Sequence, residues 1–261
     1  MPDFYWYVVA FFFGLCFGSF GNVVIYRLPL RKSLSKPPST CPKCNARVKS
    51  RDLIPILSWL ILKGKCRKCK VKISPQYAIV ELICGLLFVL MVLLTTSASA
   101  VFLSLFVFLL LVISVIDWKT QTIPDSLIIT GVIVGVLWVI IPLFLPNYFP
   151  LVPSWYMSVL GIIIGALPFL LIDKLTLLIL KKDAFGYGDV KLMAMAGIFL
   201  GPADVLIASL FSLFIFLPFG VVTMLFNRKK GGTYVAYGPF LCGGILTSMF
   251  FAENFINLFI Y

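Results

Sequence analysis

Two groups of residues in this chain have the types and spacing to do chemistry. The first is a pair of C-x-x-C motifs, Cys41-Pro-Lys-Cys44 and Cys66-Arg-Lys-Cys69, with 21 residues between them. Four thiolates at that spacing suit a tetrahedral structural zinc ion, and the flanking lysines favour the thiolate form. A redox dithiol or an iron–sulfur cluster uses similar spacing. The second group is acidic. Asp117 lies in Val115-Ile116-Asp117-Trp118-Lys119, Asp125 in Ile123-Pro124-Asp125-Ser126, and Asp189 in Phe185-Gly186-Tyr187-Gly188-Asp189-Val190-Lys191. No histidine occurs anywhere. That excludes Ser-His-Asp and Cys-His catalysis, His-ligated zinc hydrolysis and haem on an axial histidine. Carboxylates remain the best acid–base groups. Two facing carboxylates share a proton, so that one activates water while the other polarises a peptide carbonyl, as in aspartyl proteases.

Each acid also has a structural reading. Asp125, after Pro124, reads as a helix N-cap. Asp117 reads as a solvated span terminus, Asp189 as a cap after a glycine turn, and Glu81 as the structural partner of a basic residue. Against this, Gly186 and Gly188 permit close backbone approach before Asp189, and ionisable groups at membrane depth are functional candidates by default. Spacing alone leaves Asp117 and Asp125 as alternative partners for Asp189.

The elements that position these residues are membrane spans. The chain is 61% hydrophobic and only 12% charged, with mean hydropathy +1.06, too apolar for a water-soluble domain. Runs long enough to cross are 4–26, 76–95, 100–116, 126–145, 155–172, 203–226 and 238–260, and 190–200 is a shorter eighth. Fourteen of the 22 Lys and Arg lie between Arg27 and Lys72. With that segment in the cytoplasm, eight crossings put all 22 basic residues inside, as the positive-inside rule expects. Both termini then lie outside. Asp3 and the length of the first apolar run argue against a cleaved signal peptide. Pro142 to Pro153, with Pro146, Asn147 and Pro150, reads as an outer loop. No internal repeat is evident. The basic charge is too broken up for a nucleic-acid stripe; the partner it implies is the lipid bilayer. The expectation is an all-α polytopic membrane protein of about eight transmembrane helices, one of them short. Its organisation is a first span (1–26), a cytoplasmic cysteine/zinc module (27–75) and a membrane-embedded catalytic region (76–261). The zinc would be structural, since a loop this small has little core of its own.

The sequence resembles the type IV prepilin peptidases, bacterial inner-membrane aspartyl proteases with a GxGD signature. The resemblance runs over nearly the whole chain. Gly18-Ser19-Phe20-Gly21-Asn22-Val23-Val24-Ile25-Tyr26-Arg27-Leu28-Pro29 looks like the N-terminal signature. Cys41–Cys44, Ile54-Pro55-Ile56-Leu57-Ser58-Trp59, Lys63-Gly64-Lys65-Cys66-Arg67-Lys68-Cys69, Ile73-Ser74-Pro75-Gln76-Tyr77 and Val80-Glu81 follow in the family's order. The resemblance implies Asp117 and Asp189 as the catalytic pair, with Gly186 and Gly188 in the signature and Tyr237-Gly238-Pro239-Phe240 as a late substrate-side element. Asp125, Gly238, Pro239 and Glu81 are secondary candidates. The implied activity is removal of the basic leader from a prepilin or pseudopilin at the cytoplasmic face, followed by N-methylation of the new terminus with S-adenosylmethionine. Glu81 is a candidate contact for that methyl donor.

Other readings are weighed against this one. A different GxGD intramembrane protease lacks the cysteine loop and N-terminal signature, and a proton-coupled transporter has no use for a zinc module. A non-catalytic pilus-assembly scaffold would leave both aspartates dispensable. A serine–lysine hydrolase needs a serine beside Lys191, for which Ser114 is the nearest candidate in kind.

Overall fold

A computed structural model of the chain describes residues 4–95, 97–145, 152, 154–181, 186–226 and 235–260. Among these the regular structure is helical: α1 (Phe4–Arg27), α2 (Leu57–Ile61), α3 (Gln76–Leu94), α4 (Ser97–Thr120), α5 (Asp125–Phe144), α6 (Trp155–Leu180), α7 (Tyr187–Phe226) and α8 (Gly238–Ile260), with a 3₁₀ turn at Ser50–Leu53. All but α2 are long and apolar enough to cross a membrane. Helices suit that setting because each satisfies its backbone polar groups internally where no water can.

Helix α7 is two arms rather than one rod. At Gly201, φ is +77° and ψ is −176°, and Pro202 opens the second arm. Only glycine reaches that backbone region readily. A Cβ at Gly161 of α6 would meet both Gly197 and Gly201, while one at Gly165 would meet Met193 and Val205. Moving four residues along α6 therefore moves four back on the first arm and four forward on the second. The arms are antiparallel, and the short 190–200 run is a segment of its own. Continuing the register sets Asp189 level with Phe169, about 6 Å along the helix from Asp173 at 1.5 Å per residue.

Helix ends depart from the sequence expectations at three points, the first being α4, which runs from Ser97 to Thr120, past both ends of the 100–116 run. Helix α5 continues through Pro142 to Phe144, two residues past the proline, so Pro142 does not begin an irregular loop. Helix α6 runs on to Leu180 and ends with Lys181 in the left-handed region. The outer-loop markers Pro146, Asn147 and Pro150 and the cluster at 228–230 lie outside the described residues.

The chain forms two compact units, 1–112 and 113–261. In the first, α1 and α3 pack backbone to backbone: a Cβ at Gly14 would fall 2.7 Å from Gly85 Cα, and one at Gly18 would fall 2.7 Å from Glu81 Cα. Phe17 fills the flank against Phe88 and Phe108. In the second unit, α6 and the first arm of α7 touch at Gly161 and Gly197, and the Ser158 hydroxyl donates to the Ile198 carbonyl at 2.9 Å. Leu192, Met193, Met195 and Ala196 of that arm are fully buried.

Candidate active site and metal centre

The cysteine segment contains a repeat that its sequence scarcely shows. Thr40 bridges Arg47 and Lys65 bridges Lys72, both antiparallel and 25 residues apart. Cys41 N–H donates to Ala46 O, Asn45 N–H to Cys41 O and Val48 N–H to Ser39 O. At the same offset Cys66 donates to Val71, Lys70 to Cys66 and Ile73 to Gly64. Asn45 and Lys70 both take left-handed φ values, 52° and 59°. Each unit is a knuckle, a tight turn presenting two thiols. The expectation of no internal repeat is thus corrected. Apart from the cysteines, only Lys43 and Lys68 are identical across the repeat, because backbone hydrogen bonds hold the turn.

The two knuckles bring all four Sγ atoms within 4.8 Å of one another, with Cys41 and Cys69 at 3.7 Å. Ligands at about 2.3 Å from a tetrahedral zinc sit roughly 3.8 Å apart. Backbone N–H groups of Cys44 and Lys43 bring the Cys41 thiol down to about 6. Those of Cys69 and Lys68 lower Cys66 in the same way. The Val71 N–H favours the Cys69 thiolate, yet burial and the three neighbouring thiols push that group up to about 11. One cation would relieve that crowding. The four cysteines can hold a metal ion.

Two clamps that the sequence did not reveal tie this module down. Arg27, ending α1, donates to the carbonyls of Ser33, Leu34 and Pro37 at 3.0, 3.2 and 2.6 Å. Glu81, buried in α3, accepts the Ile56 N–H at 2.8 Å, so it meets a backbone amide where a basic side chain was expected. Ile56 holds φ at +59°, costly for a β-branched residue, and so delivers its N–H to that carboxylate. Arg67, between the second pair of cysteines, grips Asp52 through two nitrogens at 2.6 and 3.0 Å.

In the second unit the acidic residues separate by environment. Asp117, in the last turn of α4, is 5% exposed, and its Oδ2 accepts the Gly238 N–H at 3.0 Å. Asp189 lies in the first turn of α7, where its N–H donates to the Gly186 carbonyl at 2.9 Å. The two carboxylates are close enough for their charges to act on one another, and the Cys242 thiol lies within range of both. Gly188 allows contact with Ile123, since a Cβ there would sit 3.0 Å from the Ile123 Cβ. Gly238 is tighter: its Cβ would fall 2.6 Å from Asp117 Oδ2. Pro239 follows at the start of α8, and Tyr237 hydrogen-bonds Ser212 at 2.8 Å.

Asp125 stands apart. It is the first residue of α5, whose N-cap is Pro124, so it does not cap the helix as expected. Its exposed carboxylate pairs with Lys191 Nζ at 2.7 Å. That pair also occupies the lysine a serine–lysine hydrolase would need.

A family model for the bacterial peptidase A24 N-terminal domain matches residues 12–95, and one for the type IV leader peptidase family matches residues 103–221. The chain belongs to the type IV leader peptidase family. A Klebsiella pneumoniae prepilin leader peptidase/N-methyltransferase is 38% identical over 79% of this chain and 92% of its own length. A type 4 prepilin-like proteins leader peptide-processing enzyme of Escherichia coli O78:H11 is 35% identical over 92% of both chains. A Stutzerimonas stutzeri relative, also a prepilin leader peptidase/N-methyltransferase, is 33% identical over 89% of this chain and 86% of its own. No solved structure matches the chain significantly.

Proposed function

We propose that this protein is a bifunctional membrane enzyme that removes the leader from a prepilin or pseudopilin and methylates the amine it exposes. The supporting observation is that the buried Asp117 carboxylate and the half-buried Asp189 carboxylate lie close enough for their charges to interact, within one unit of a chain belonging to the leader peptidase family. In the proposed mechanism the pair holds one proton. The ionised carboxylate takes a proton from water as the oxygen attacks the scissile carbonyl carbon. The protonated one hydrogen-bonds the carbonyl oxygen, and the tetrahedral adduct collapses with a proton passed to the leaving amine. The Gly238 N–H orients Asp117, and Gly186 and Gly188 set the turn that presents Asp189. Asp125 acts at most secondarily, through Lys191.

The second activity rests on the relatives' names, which pair peptidase with N-methyltransferase. S-adenosylmethionine would supply the methyl group to the new N-terminal amine, and Glu81 is our candidate beside that donor. The metal would be zinc, held structurally by Cys41, Cys44, Cys66 and Cys69. The proposed setting is the bacterial inner membrane, with the basic module and dyad facing the cytoplasm and both termini outside. Nucleic acid has no part in it. The test is incubation of the purified protein with a prepilin, with and without S-adenosylmethionine, followed by intact-mass measurement. Leader loss in both arms, with a methyl added only in the second, is expected. An uncut substrate overturns the reading.

A further inference from the structure

Between the two knuckles, residues 53–61 expose five large apolar side chains: Leu53, Ile54, Leu57, Leu60 and Ile61. Helix α2 has two distinct faces. Trp59 points inward, its indole N–H reaching the Ile73 carbonyl at 3.4 Å and its ring lying where a Cβ on Gly64 would collide. Leu57, Leu60 and Ile61, at positions i, i+3 and i+4, share the other face, and Ile61 is 73% exposed. A contiguous apolar surface of this kind needs a partner.

Three observations identify that partner. The first is depth. The Ile56 N–H bonds to Glu81, five residues into α3, about 7.5 Å from the helix start at 1.5 Å per residue. The lip is therefore held alongside the end of a membrane span. The second is continuity, because the segment runs between two apolar helices long enough to span, α1 and α3, whose side chains Tyr26, Tyr77 and Ile79 are exposed at the same ends. The third is charge. Lys49, Arg51, Lys63 and Lys65 flank the lip and are exposed. They match anionic headgroups, whereas a second copy would present the same positive charge and repel.

We infer that residues 53–61 form an interfacial lip, seated in the anionic headgroup layer of the leaflet at which α1 ends, on Arg27, and α3 begins. Leu57, Leu60 and Ile61 reach the acyl boundary, and the flanking cations remain among the phosphates. The module is thereby fixed against the bilayer as well as by its covalent links to the two spans.

The test is photocrosslinking of the full chain in nanodiscs of phosphatidylethanolamine and phosphatidylglycerol. A benzophenone amino acid replaces Leu57 or Ile61, and the same label at the exposed α6 residue Leu171 serves as the lipid-facing control. After illumination, intact-mass measurement should find lipid adducts at both lip positions within about threefold of the control yield, as an apolar face at the headgroup–acyl boundary requires. A label at Leu60 substitutes if either variant fails to insert. Chain-to-chain adducts would assign the lip to a second copy and overturn the proposal. Absence of adducts while Leu171 labels normally would place the lip in water and overturn it equally.

Discussion

Asp117 and Asp125 are eight residues apart, yet one is buried against a backbone amide and the other forms an exposed ion pair. That contrast separates their expected phenotypes. Asp117→Asn and Asp189→Asn keep the side-chain shape and remove the shared acid–base pair, so prepilin cleavage should fall by about 10²- to 10⁴-fold. Methylation of an already cut pilin should persist in both variants. Asp125→Asn breaks a pair exposed on both sides, worth about 0–1 kcal/mol, and should cleave within a few-fold of the parent. Near-normal cleavage by either of the first two, with Asp125→Asn inactive, would move the dyad. Gly238→Ala places a methyl group against Asp117 and should cost about 10²-fold in cleavage rate, because a displacement near 1 Å is enough. Intact mass of the product, taken at matched protein levels, reads all four variants.

At the scale of elements, the α7 hairpin sets where Asp189 stands, and it depends on two backbones in contact. A Cβ at Gly197 would collide with the Gly161 carbonyl group, with no flexible side chain to yield. Gly197→Val should lower thermal stability by about 1–3 kcal/mol and reduce cleavage with it. An unchanged melting temperature in detergent would contradict the packing. The metal knuckles have their own signature in pH. The Cys41 thiol is depressed to about 6, so its contribution holds above the ordinary thiol range and is lost as pH falls through that value. A bound cation competes with protons and moves release lower still. Asp52 is held below its usual range by the Arg67 hydrogen bonds, so that brace fails only at more acid pH. Acid titration with a chromogenic chelator should therefore show metal release with its midpoint below pH 6, before the brace is lost. The spans and the four cysteines were legible because apolar length and C-x-x-C spacing are properties of contiguous sequence. The 190–200 arm was legible as a short apolar run of its own, ended by Gly201 and Pro202. The Asp125 N-cap was misread because Pro124 takes the cap position. The Ile56–Glu81 clamp was hidden because a left-handed isoleucine has no sequence signature, and the knuckle repeat because its bonds are between backbone atoms.

For the molecule as a whole, the two proposed activities should be separable. The cysteines fall within the stretch matched by the N-terminal family model, and both aspartates fall within the stretch matched by the leader peptidase model. Stripping the metal with a chelator, or Cys66→Ser, should depress methylation by more than tenfold while cleavage falls only a few-fold, given a transfer that relies on the module and a dyad carried elsewhere. Equal loss of both would tie the two reactions to one structural unit. The paired knuckles have a further thermodynamic consequence. A metal joining Cys44 to Cys66 closes a ring around the 21 residues between them. By the chain-entropy relation for cross-links, that closure removes about 3 kcal/mol of freedom from the unfolded ensemble. The penalty grows only with the logarithm of ring size, and doubling the segment adds about 0.6 kcal/mol. Loop entropy alone thus lets the connector between the knuckles lengthen cheaply, so long as the added residues leave the Ile56–Glu81 clamp and the Asp52–Arg67 brace in place.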